Sequence, residues 1–330
     1  MRLLITGGAG YIGSHATRLF LAEGHDVWVF DNLSRGHLAA VPDSRLIVGD
    51  LADRVSLESV LRKRKIEAVV HFAALTYVGE SVQNPGRYYE NNVAGTANLL
   101  EAIRNCSVNR LVFSSTAAVY GNPERVPIQE SDSKQPINPY GRTKYFIEQM
   151  LADYASAYGI GYAALRYFNA AGASPEGDIG EDHEPETHLI PLVLQVALGQ
   201  RPLIDVFGTD YPTPDGTCVR DYIHVNDLAR AHLRALECIR PGEGRAFNLG
   251  TGRGYSVKEV VAACHEVTGR GIAVKEVPAR AGDPAELIAS PQLALQQLEW
   301  RPRYTDLRET IETAWKWHRQ HPNGYGRNNQ

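Results

Sequence analysis

The chain has 330 residues, enough for one large α/β domain and a smaller part. Its net charge of −4 provides no basic field for nucleic acid, and no apolar stretch reaches the roughly 18 residues of a membrane span. The four cysteines show no Cys-x-x-Cys spacing, which favours reduced thiols over disulfides or a zinc site, so we expect a cytoplasmic protein with no nucleic acid and no membrane among its partners.

A glycine loop separates the first predicted strand, residues 2–6, from the first predicted helix, residues 14–23. Gly7 permits a tight turn, Gly10 lets a pyrophosphate approach the backbone, and Gly13 lets the helix pack closely on the strand. The helix N-terminus adds free N–H groups and a positive dipole end. Strand, glycine turn and helix in this order predict a dinucleotide-binding site.

The second predicted strand, residues 26–30, ends at Asp31. A carboxylate there accepts hydrogen bonds from the adenosine ribose and repels a 2′-phosphate, which predicts NAD rather than NADP. Arg35 is the counter-argument, since an arginine can hold a 2′-phosphate. After the third strand, residues 45–48, Asp50 could bond the adenine amino group, cap the next helix, or do both.

Strands and helices alternate up to about residue 170, and the strands are continuous apolar runs, as in a parallel sheet covered on both faces. We predict an α/β fold: an NAD-binding Rossmann doubly wound parallel sheet with a smaller discontinuous C-terminal α/β substrate domain. The first domain comprises residues 1–169 plus about 220–250, and the second comprises 170–219 and 251–330. The predicted strands of the first domain are residues 2–6, 26–30, 45–48, 66–72, 108–114, 162–168 and 246–249.

Tyr140 and Lys144 stand four residues apart in a predicted helix and therefore share one face. An ammonium about 6.5 Å from a phenolate, at an effective dielectric of about 20, contributes roughly 2.5 kcal/mol, or nearly two pKa units. The charge of an oxidised nicotinamide could bring the pKa to about 6–7, where a general base works best. Tyr140 is the predicted base, and Lys144 is the residue predicted to lower its pKa.

Three hydroxyl groups follow the strand at 108–114, at the sheet edge where ligands bind in open α/β proteins. One of them would complete a set of proton-handling groups with the tyrosine and the lysine. The residue types leave open whether this is Ser114, Ser115 or Thr116.

Six motifs occur in order along the chain, at residues 7–15, 78–81, 91–93, 140–144, 165–169 and 216–225. Together they resemble the UDP-glucose 4-epimerases, also called UDP-galactose 4-epimerases, within the extended short-chain dehydrogenase/reductases. The resemblance implies reversible epimerisation at C4 of a UDP-hexose, UDP-glucose to UDP-galactose, by transient hydride transfer to tightly bound NAD through a 4-keto sugar. It also implies a homodimer formed by a four-helix bundle, with candidate helices at 90–106 and 141–158.

The resemblance further implies the residues of the site. The catalytic residues would be Thr116, Tyr140 and Lys144. The implied cofactor contacts are Gly7, Gly10, Tyr11, Ile12, Gly13, Asp31, Asn32, Asp50, Leu51, Phe72, Ala73, Ala74, Asn91, Lys144 and Phe168. The implied substrate contacts are Thr116, Tyr140, Asn169, His188, Leu189, Phe207, Arg220, Arg280, Asp283 and Leu287.

Three positions depart from the common pattern of the family. Thr76 stands where well-studied members often carry a lysine, so one cationic contact near the nicotinamide is missing. His188 replaces an asparagine found in some members. Leu287 lies where a bulky tyrosine excludes N-acetylated sugars and a small residue admits them. Acceptance of UDP-N-acetylglucosamine therefore stays open.

Other functions compete with this interpretation. A 4,6-dehydratase would carry Asp-Glu where this chain has Ala117 and Ala118, which cannot transfer protons. Epimerases of UDP-N-acetylglucosamine, UDP-glucuronate or UDP-arabinose are closer alternatives. A non-catalytic NAD-binding regulator would be expected to lack Tyr140 or Lys144.

A run of acids and a histidine at residues 181–184, together with His188, raises the question of a metal site. The run lies in a Gly/Pro-rich stretch without the i, i+4 spacing of helical ligands. We interpret it as a solvated loop and predict no metal.

Overall fold

The computed structural model describes residues 1–280 and 283–326, in which strands and helices alternate. The strands are β1 (Arg2–Thr6), β2 (Asp26–Asp31), β3 (Leu46–Val48), β4 (Ala68–His71), β5 (Arg110–Ser114), β6 (Gly161–Tyr167), β7 (Asn169–Ala171), β8 (Ile204–Phe207), β9 (Val219–His224), β10 (Gly244–Leu249), β11 (Gly254–Ser256), β12 (Val274–Val277) and β13 (Glu286–Leu287). The helices are α1 (Tyr11–Ala22), α2 (Arg54–Lys63), α3 (Val78–Gln83), α4 (Pro85–Tyr88), α5 (Gly95–Asn105), α6 (Pro139–Tyr158), α7 (Leu189–Ala197), α8 (Val225–Cys238), α9 (Val257–Thr268), α10 (Gln292–Gln297) and α11 (Leu307–Gln320).

Seven strands form one sheet in the order β10-β6-β5-β4-β1-β2-β3, and every neighbouring pair is parallel. The order reverses between β1 and β4, where the carboxyl ends of the strands leave a crevice. This confirms the predicted doubly wound Rossmann sheet. The glycine loop after β1 and the hydroxyl groups after β5 open on the same edge.

Both faces of this sheet are buried. Leu3 and Ile5 of β1 pack with Phe20 of α1 on one face, whereas Leu4 packs with Phe30 on the other. Alternate residues of a strand point to opposite faces, so burial on both sides requires an apolar residue at nearly every position. This is why the strands read as continuous apolar runs.

The smaller part of the molecule contains two separate sheets. One has the order β11-β9-β13, with β7 also paired to β9, and the other pairs β12 with β8. Helices α7, α9 and α11 surround a core that includes Ile190, Val260 and Ile311.

The two parts exchange segments. The chain returns to the large sheet with α8 and β10, whereas β9 belongs to the smaller part. Beyond residue 251, Ala294, Leu298 and Trp300 pack into the core of the large sheet. These residues from late in the chain therefore contribute to the core of the large sheet. Within the described residues, no helix is both long and apolar enough to cross a bilayer.

Candidate active site

The glycine loop closes against the end of β4 and leaves its outer side open. Gly7 has a φ of +72°, and a Cβ atom there would lie 2.4 Å from the backbone nitrogen of Ala73. A Cβ on Gly13 would lie 2.2 Å from the carbonyl oxygen of Gly7, whereas one on Gly10 would meet only that oxygen, at 3.4 Å. No side chain caps α1, so its first N–H groups remain available. The loop therefore fits the pyrophosphate of a dinucleotide.

Asp31 is held at the end of β2 by the loop itself. Its carboxylate oxygens accept hydrogen bonds from the backbone N–H groups of Ala9, at 3.0 Å, and Leu33, at 2.9 Å. Burial raises the pKa of Asp31. Arg35 points elsewhere: it forms an ion pair with Glu80 at 3.5 Å and lies over the ring of Tyr77 at 4.8 Å. This arrangement favours a ribose hydroxyl over a 2′-phosphate.

Asp50 does not cap the helix that follows it. The N-cap of α2 is Asp53, whose side chain accepts from the N–H of Ser56. Asp50 instead accepts hydrogen bonds from the Asn32 side chain, at 2.7 Å, and from the N–H of Ala52, at 2.8 Å. The capping alternative is therefore wrong, because the helix begins three residues later than Asp50 would require.

The three hydroxyl groups after β5 have different partners. Ser114 bonds the hydroxyl of Tyr167, and Ser115 donates to the carboxylate of Glu148. Thr116 accepts from the N–H of Ala118 at 3.1 Å and also lies within reach of the Tyr140 hydroxyl. Since both serines are committed to buried partners, Thr116 is the hydroxyl that the site can use.

Helix α6 carries Tyr140 and Lys144 and begins close to Thr116. Its N-cap Asn138 accepts from the N–H of Gly141 at 2.8 Å, and Pro139 occupies the first turn. A Cβ on Gly141 would lie 2.6 Å from the carbonyl oxygen of Ala118. This close approach brings the first turn of the helix against the loop after β5.

Lys144 is deeply buried, with 2% of the residue exposed. Its Nζ donates to the carbonyl oxygen of Ser114 at 2.7 Å and lies 6.0 Å from the centre of the Tyr140 ring. The predicted pair is thus brought together on one face of the helix.

Burial shifts the pKa values of both Tyr140 and Lys144, and that of Tyr140 lies above the value expected from the spacing of the pair. Burial raises the pKa of Tyr140 to about 12, and the Thr116 hydroxyl only partly opposes this. Burial also lowers the pKa of Lys144 to about 7, although Glu148 opposes that shift. Lys144 alone therefore leaves Tyr140 protonated at neutral pH, because removal from water raises the pKa of the buried phenol.

A buried ion pair behind α6 is not predicted from the sequence. Arg166 of β6 donates to Glu148 of α6 at 2.9 Å and to the hydroxyl of Tyr120 at 2.8 Å. Tyr120 in turn donates to Asn248 of β10 at 2.6 Å. The network ties α6 to β6 and β10. A usable signal exists, since Arg166 interrupts an apolar strand and Glu148 follows Lys144 by four residues.

Several predicted cofactor residues have other contacts. The ring of Phe72 packs on His232, with ring centres 4.5 Å apart, and points into the core. The Tyr11 hydroxyl donates to the carbonyl oxygen of Gly172 at 2.6 Å. The other predicted contacts include Ile12 in α1, Leu51 after β3, Ala74 after β4, Asn91 before α5 and Phe168 between β6 and β7.

Four of the predicted substrate residues in the smaller part form two pairwise contacts. Arg220 forms an ion pair with Asp283 at 2.5 Å, and the Arg280 guanidinium lies 3.8 Å from the centre of the Phe207 ring. Leu287 is the register partner of Arg220 between β13 and β9. The two contacts are neighbours, because the N–H of Asp283 donates to the carbonyl oxygen of Arg280 at 3.3 Å.

Two predicted substrate residues, Asn169 and Leu287, lie where the smaller part meets the large sheet. Leu287 packs with Phe168 against the segment after Thr116. Asn169, at the start of β7, donates to the carbonyl oxygen of Asp221 at 3.2 Å. Leu287 thus lies beside the segment that follows Thr116.

The acidic, histidine-containing segment is not a solvated loop. The side chain of Glu181 is 4% exposed and that of Glu186 is 6% exposed. His188, the N-cap of α7, lies 2.8 Å from Glu181 and 3.0 Å from Glu186 through Nδ1, just before Leu189. The interpretation as a solvated loop is wrong because the chain folds back on itself between residues 181 and 188 without helical spacing.

Comparison with known proteins agrees with this geometry. The NAD dependent epimerase/dehydratase family model matches residues 3–250. The UDP-glucose 4-epimerase of Halalkalibacterium halodurans is 53% identical over 331 residues, covering 100% of this chain and 99% of that protein.

Two solved structures extend the comparison. UDP-glucose 4-epimerase from Brucella ovis in complex with NAD has a TM-score of 0.91 at 50% identity, covering 94% of this chain and 96% of that one. The Bifidobacterium longum enzyme in complex with NAD+ and UDP has a TM-score of 0.93 at 37% identity, covering 98% and 100%. The chain therefore belongs to the NAD dependent epimerase/dehydratase family and, within it, to the UDP-glucose 4-epimerases.

Proposed function

We propose that this enzyme reversibly epimerises C4 of a UDP-hexose, interconverting UDP-glucose and UDP-galactose with tightly held NAD. The observation that carries the proposal is the placement of Tyr140, Lys144 and Thr116 at the sheet edge onto which the glycine loop also opens. A base, a cation and a hydroxyl beside a dinucleotide cradle are what the oxidation of a secondary alcohol requires.

Tyr140 is the base for the sugar 4-hydroxyl. Bound NAD would supply a hydride acceptor for C4 and return the hydride to the opposite face of the 4-keto sugar. Lys144, once protonated, stabilises the Tyr140 phenolate, and Thr116 bonds the hydroxyl that is being oxidised. Burial of the lysine and the tyrosine strengthens their interaction, because little water screens it.

The nucleotide would lie against the smaller part of the molecule. Arg220 and Arg280 can bind the pyrophosphate bidentately, Asp283 can accept from ribose hydroxyls, and Phe207 can stack on uracil. Binding would exchange the Arg220–Asp283 ion pair and the Arg280–Phe207 contact for contacts to UDP. Asn169, His188 and Leu189 would complete this pocket.

Alternative substrates differ at the sugar rather than at the nucleotide. Leu287 is intermediate in size between the tyrosine that excludes an N-acetyl group in this family and the small residue that admits it, so UDP-N-acetylglucosamine is the second candidate. A dehydratase is disfavoured because Ala117 and Ala118 follow Thr116 and offer no group for elimination of water.

The direct test uses the purified protein without added cofactor. UDP-galactose and, separately, UDP-N-acetylgalactosamine are supplied, and the sugar C1 proton is followed by NMR. Conversion of UDP-galactose towards UDP-glucose is expected and would also demonstrate retained NAD. No conversion after NAD is added would reject UDP-hexose as the substrate.

We also propose a cytoplasmic homodimer. Phe146, Met150, Tyr154 and Tyr158 follow one another every four residues on α6 and form an apolar stripe. Phe146 and Tyr158 are 46% and 50% exposed at its two ends. A second copy of the same helix face would cover this stripe.

A further inference from the structure

Two histidines and two glutamates converge where the segment 181–188 meets the start of α7. Glu181, His183, Glu186 and His188 each offer one ligand atom, and these four atoms lie within 4.8 Å of one another. The cluster lies outside the set of groups that the epimerase reaction uses, apart from His188. We propose that it is a binding site for one divalent transition-metal ion, with Zn²⁺ as the preferred occupant.

The distances suit a tetrahedral ion. Nδ1 of His183 lies 3.2 Å from Glu181 and 3.6 Å from Glu186. Nδ1 of His188 lies 2.8 Å from Glu181 and 3.0 Å from Glu186. Ligands about 2.0–2.2 Å from zinc in a tetrahedron are about 3.3–3.6 Å apart. The remaining separations are at most 4.8 Å, so side-chain shifts of roughly 1 Å would bring all four groups to bonding distance.

His188 and Glu186 are hydrogen-bonded to each other at 3.0 Å, but two other polar atoms of the cluster are not satisfied. Oε1 of Glu181 and Nδ1 of His183 are buried and have no partner with hydrogen-bond geometry. The Glu181 side chain is 4% exposed, so water cannot readily take that place. A network that existed only for ion pairing would align its donors with its acceptors, and this one leaves a central acceptor and a facing nitrogen unpaired.

The ligand set indicates the class of metal. Two imidazoles and two carboxylates in fourfold arrangement suit zinc and its neighbours, whereas Ca²⁺ and Mg²⁺ require six or more oxygen ligands. The immediate surroundings are aromatic: the rings of Tyr11 and Tyr77 lie 6.1 and 6.2 Å from the His183 ring. These rings cover one side of the cluster, whereas the side chain of His188 is 41% exposed and forms its solvent-facing edge.

The position of the site defines what a bound ion would do. Tyr11 belongs to the first turn after the glycine loop, and His188 caps α7 of the smaller part. Residues 182–184 are also held by Arg35, which donates to the carbonyl oxygen of Glu184, and by the His37 ring, whose Nε2 donates to the carbonyl oxygen of Asp182 at 2.9 Å. Zinc would therefore stabilise the fold of residues 181–188, which pack on Tyr11 at the end of the glycine loop.

The test is a Zn²⁺ titration of the chelator-treated holoenzyme against a chromophoric competing chelator. We expect one ion per chain in the wild type. Glu186→Gln should weaken binding by about a hundredfold, because it replaces a charged ligand with a neutral amide. Glu184→Gln is the matched control two residues away, since its side chain is exposed and outside the cluster, and it should bind as the wild type does.

A second measurement keeps the proposal testable if Glu186→Gln folds poorly. Co²⁺ replaces Zn²⁺, and the visible spectrum reports tetrahedral coordination. The wild type and His265→Gln should show the intense bands, and His183→Gln should lose them while retaining its NAD and its circular dichroism. A wild type that binds zinc no better than Glu186→Gln, or a cobalt spectrum unaffected by His183→Gln, would overturn the proposal.

Discussion

Tyr140 must change its protonation state to act as a base, because burial raises the pKa of the free phenol to about 12. Only added positive charge can bring the pKa into the working range. Tyr140→Phe removes the proton acceptor and keeps the ring. We expect kcat for UDP-galactose to fall by at least about a hundredfold with the fold intact, since general bases contribute about 10²–10⁴.

The matched control for this substitution lies on the same helix. Tyr158→Phe removes a hydroxyl from an exposed ring at the far end of α6 and should leave kcat unchanged. Turnover of both variants is followed by the sugar C1 proton, and retained NAD is measured in each. Near-normal turnover of Tyr140→Phe would exclude it as the base.

At the residue scale, the sequence predicts which side chains lie together when both belong to the same helix. Tyr140 and Lys144 share a face because of helix periodicity, which needs no knowledge of the rest of the fold. The choice of Thr116 over Ser114 and Ser115 depends on Tyr167 and Glu148, which are distant in sequence. The pKa of Tyr140 likewise depends on its burial, which spacing alone does not reveal.

The contact between the glycine loop and α1 is the most sterically demanding one between elements of the site. A Cβ on Gly13 would lie 2.2 Å from the Gly7 carbonyl oxygen and 2.7 Å from the Gly8 Cα, and both are backbone atoms that cannot move cheaply. Gly13→Ala should cost about 1–3 kcal/mol of unfolding free energy and weaken NAD retention. Urea unfolding and the NAD content after gel filtration would measure the two effects.

Gly86→Ala provides the comparison for this prediction. Gly86 lies in α4 with nothing within 4 Å of an added Cβ, so its stability and NAD content should match the wild type. Equal behaviour of the two variants would mean that α1 shifts freely, and the close packing would then carry no energy.

The buried pair Glu148–Arg166 links α6 to the sheet. Replacing either partner alone leaves a buried charge unpaired and should cost about 3–5 kcal/mol of unfolding free energy. The double replacement, Glu148→Met with Arg166→Met, should cost less than either single one, because no charge remains unpaired. A double-mutant cycle by urea unfolding measures the difference. Additive losses would contradict the coupling.

The elements themselves are predictable where burial is uniform. The strands of the large sheet lie within a few residues of the predicted runs, because both faces of the sheet demand apolar side chains. The short strands of the smaller part are less visible, since β11 and β13 contain three and two residues. Such strands form through pairing with β9, which is a tertiary effect.

On the scale of the whole molecule, segments that are far apart in the sequence pack against each other. Residues 181–188 read as a polar loop, yet they fold into a buried cluster against Tyr11, more than 160 residues away. The spacing of residues in the sequence predicts which metal-binding side chains lie together only within one helix or strand. A site built from one folded loop becomes visible only in the three-dimensional structure.

The dimer is the remaining property of the whole molecule that can be tested. In a symmetric dimer Phe146 would be buried twice, and burying each ring contributes about 1.5–3 kcal/mol. Phe146→Glu should therefore raise the dissociation constant by at least about a hundredfold, since 1.4 kcal/mol corresponds to a factor of about ten. Light scattering over a dilution series should show a wild-type dimer and a largely monomeric variant. Val55→Glu adds the same charge at a residue 79% exposed on α2 and should stay dimeric. A monomeric wild type, or a dimer unaffected by Phe146→Glu, would remove α6 from the interface.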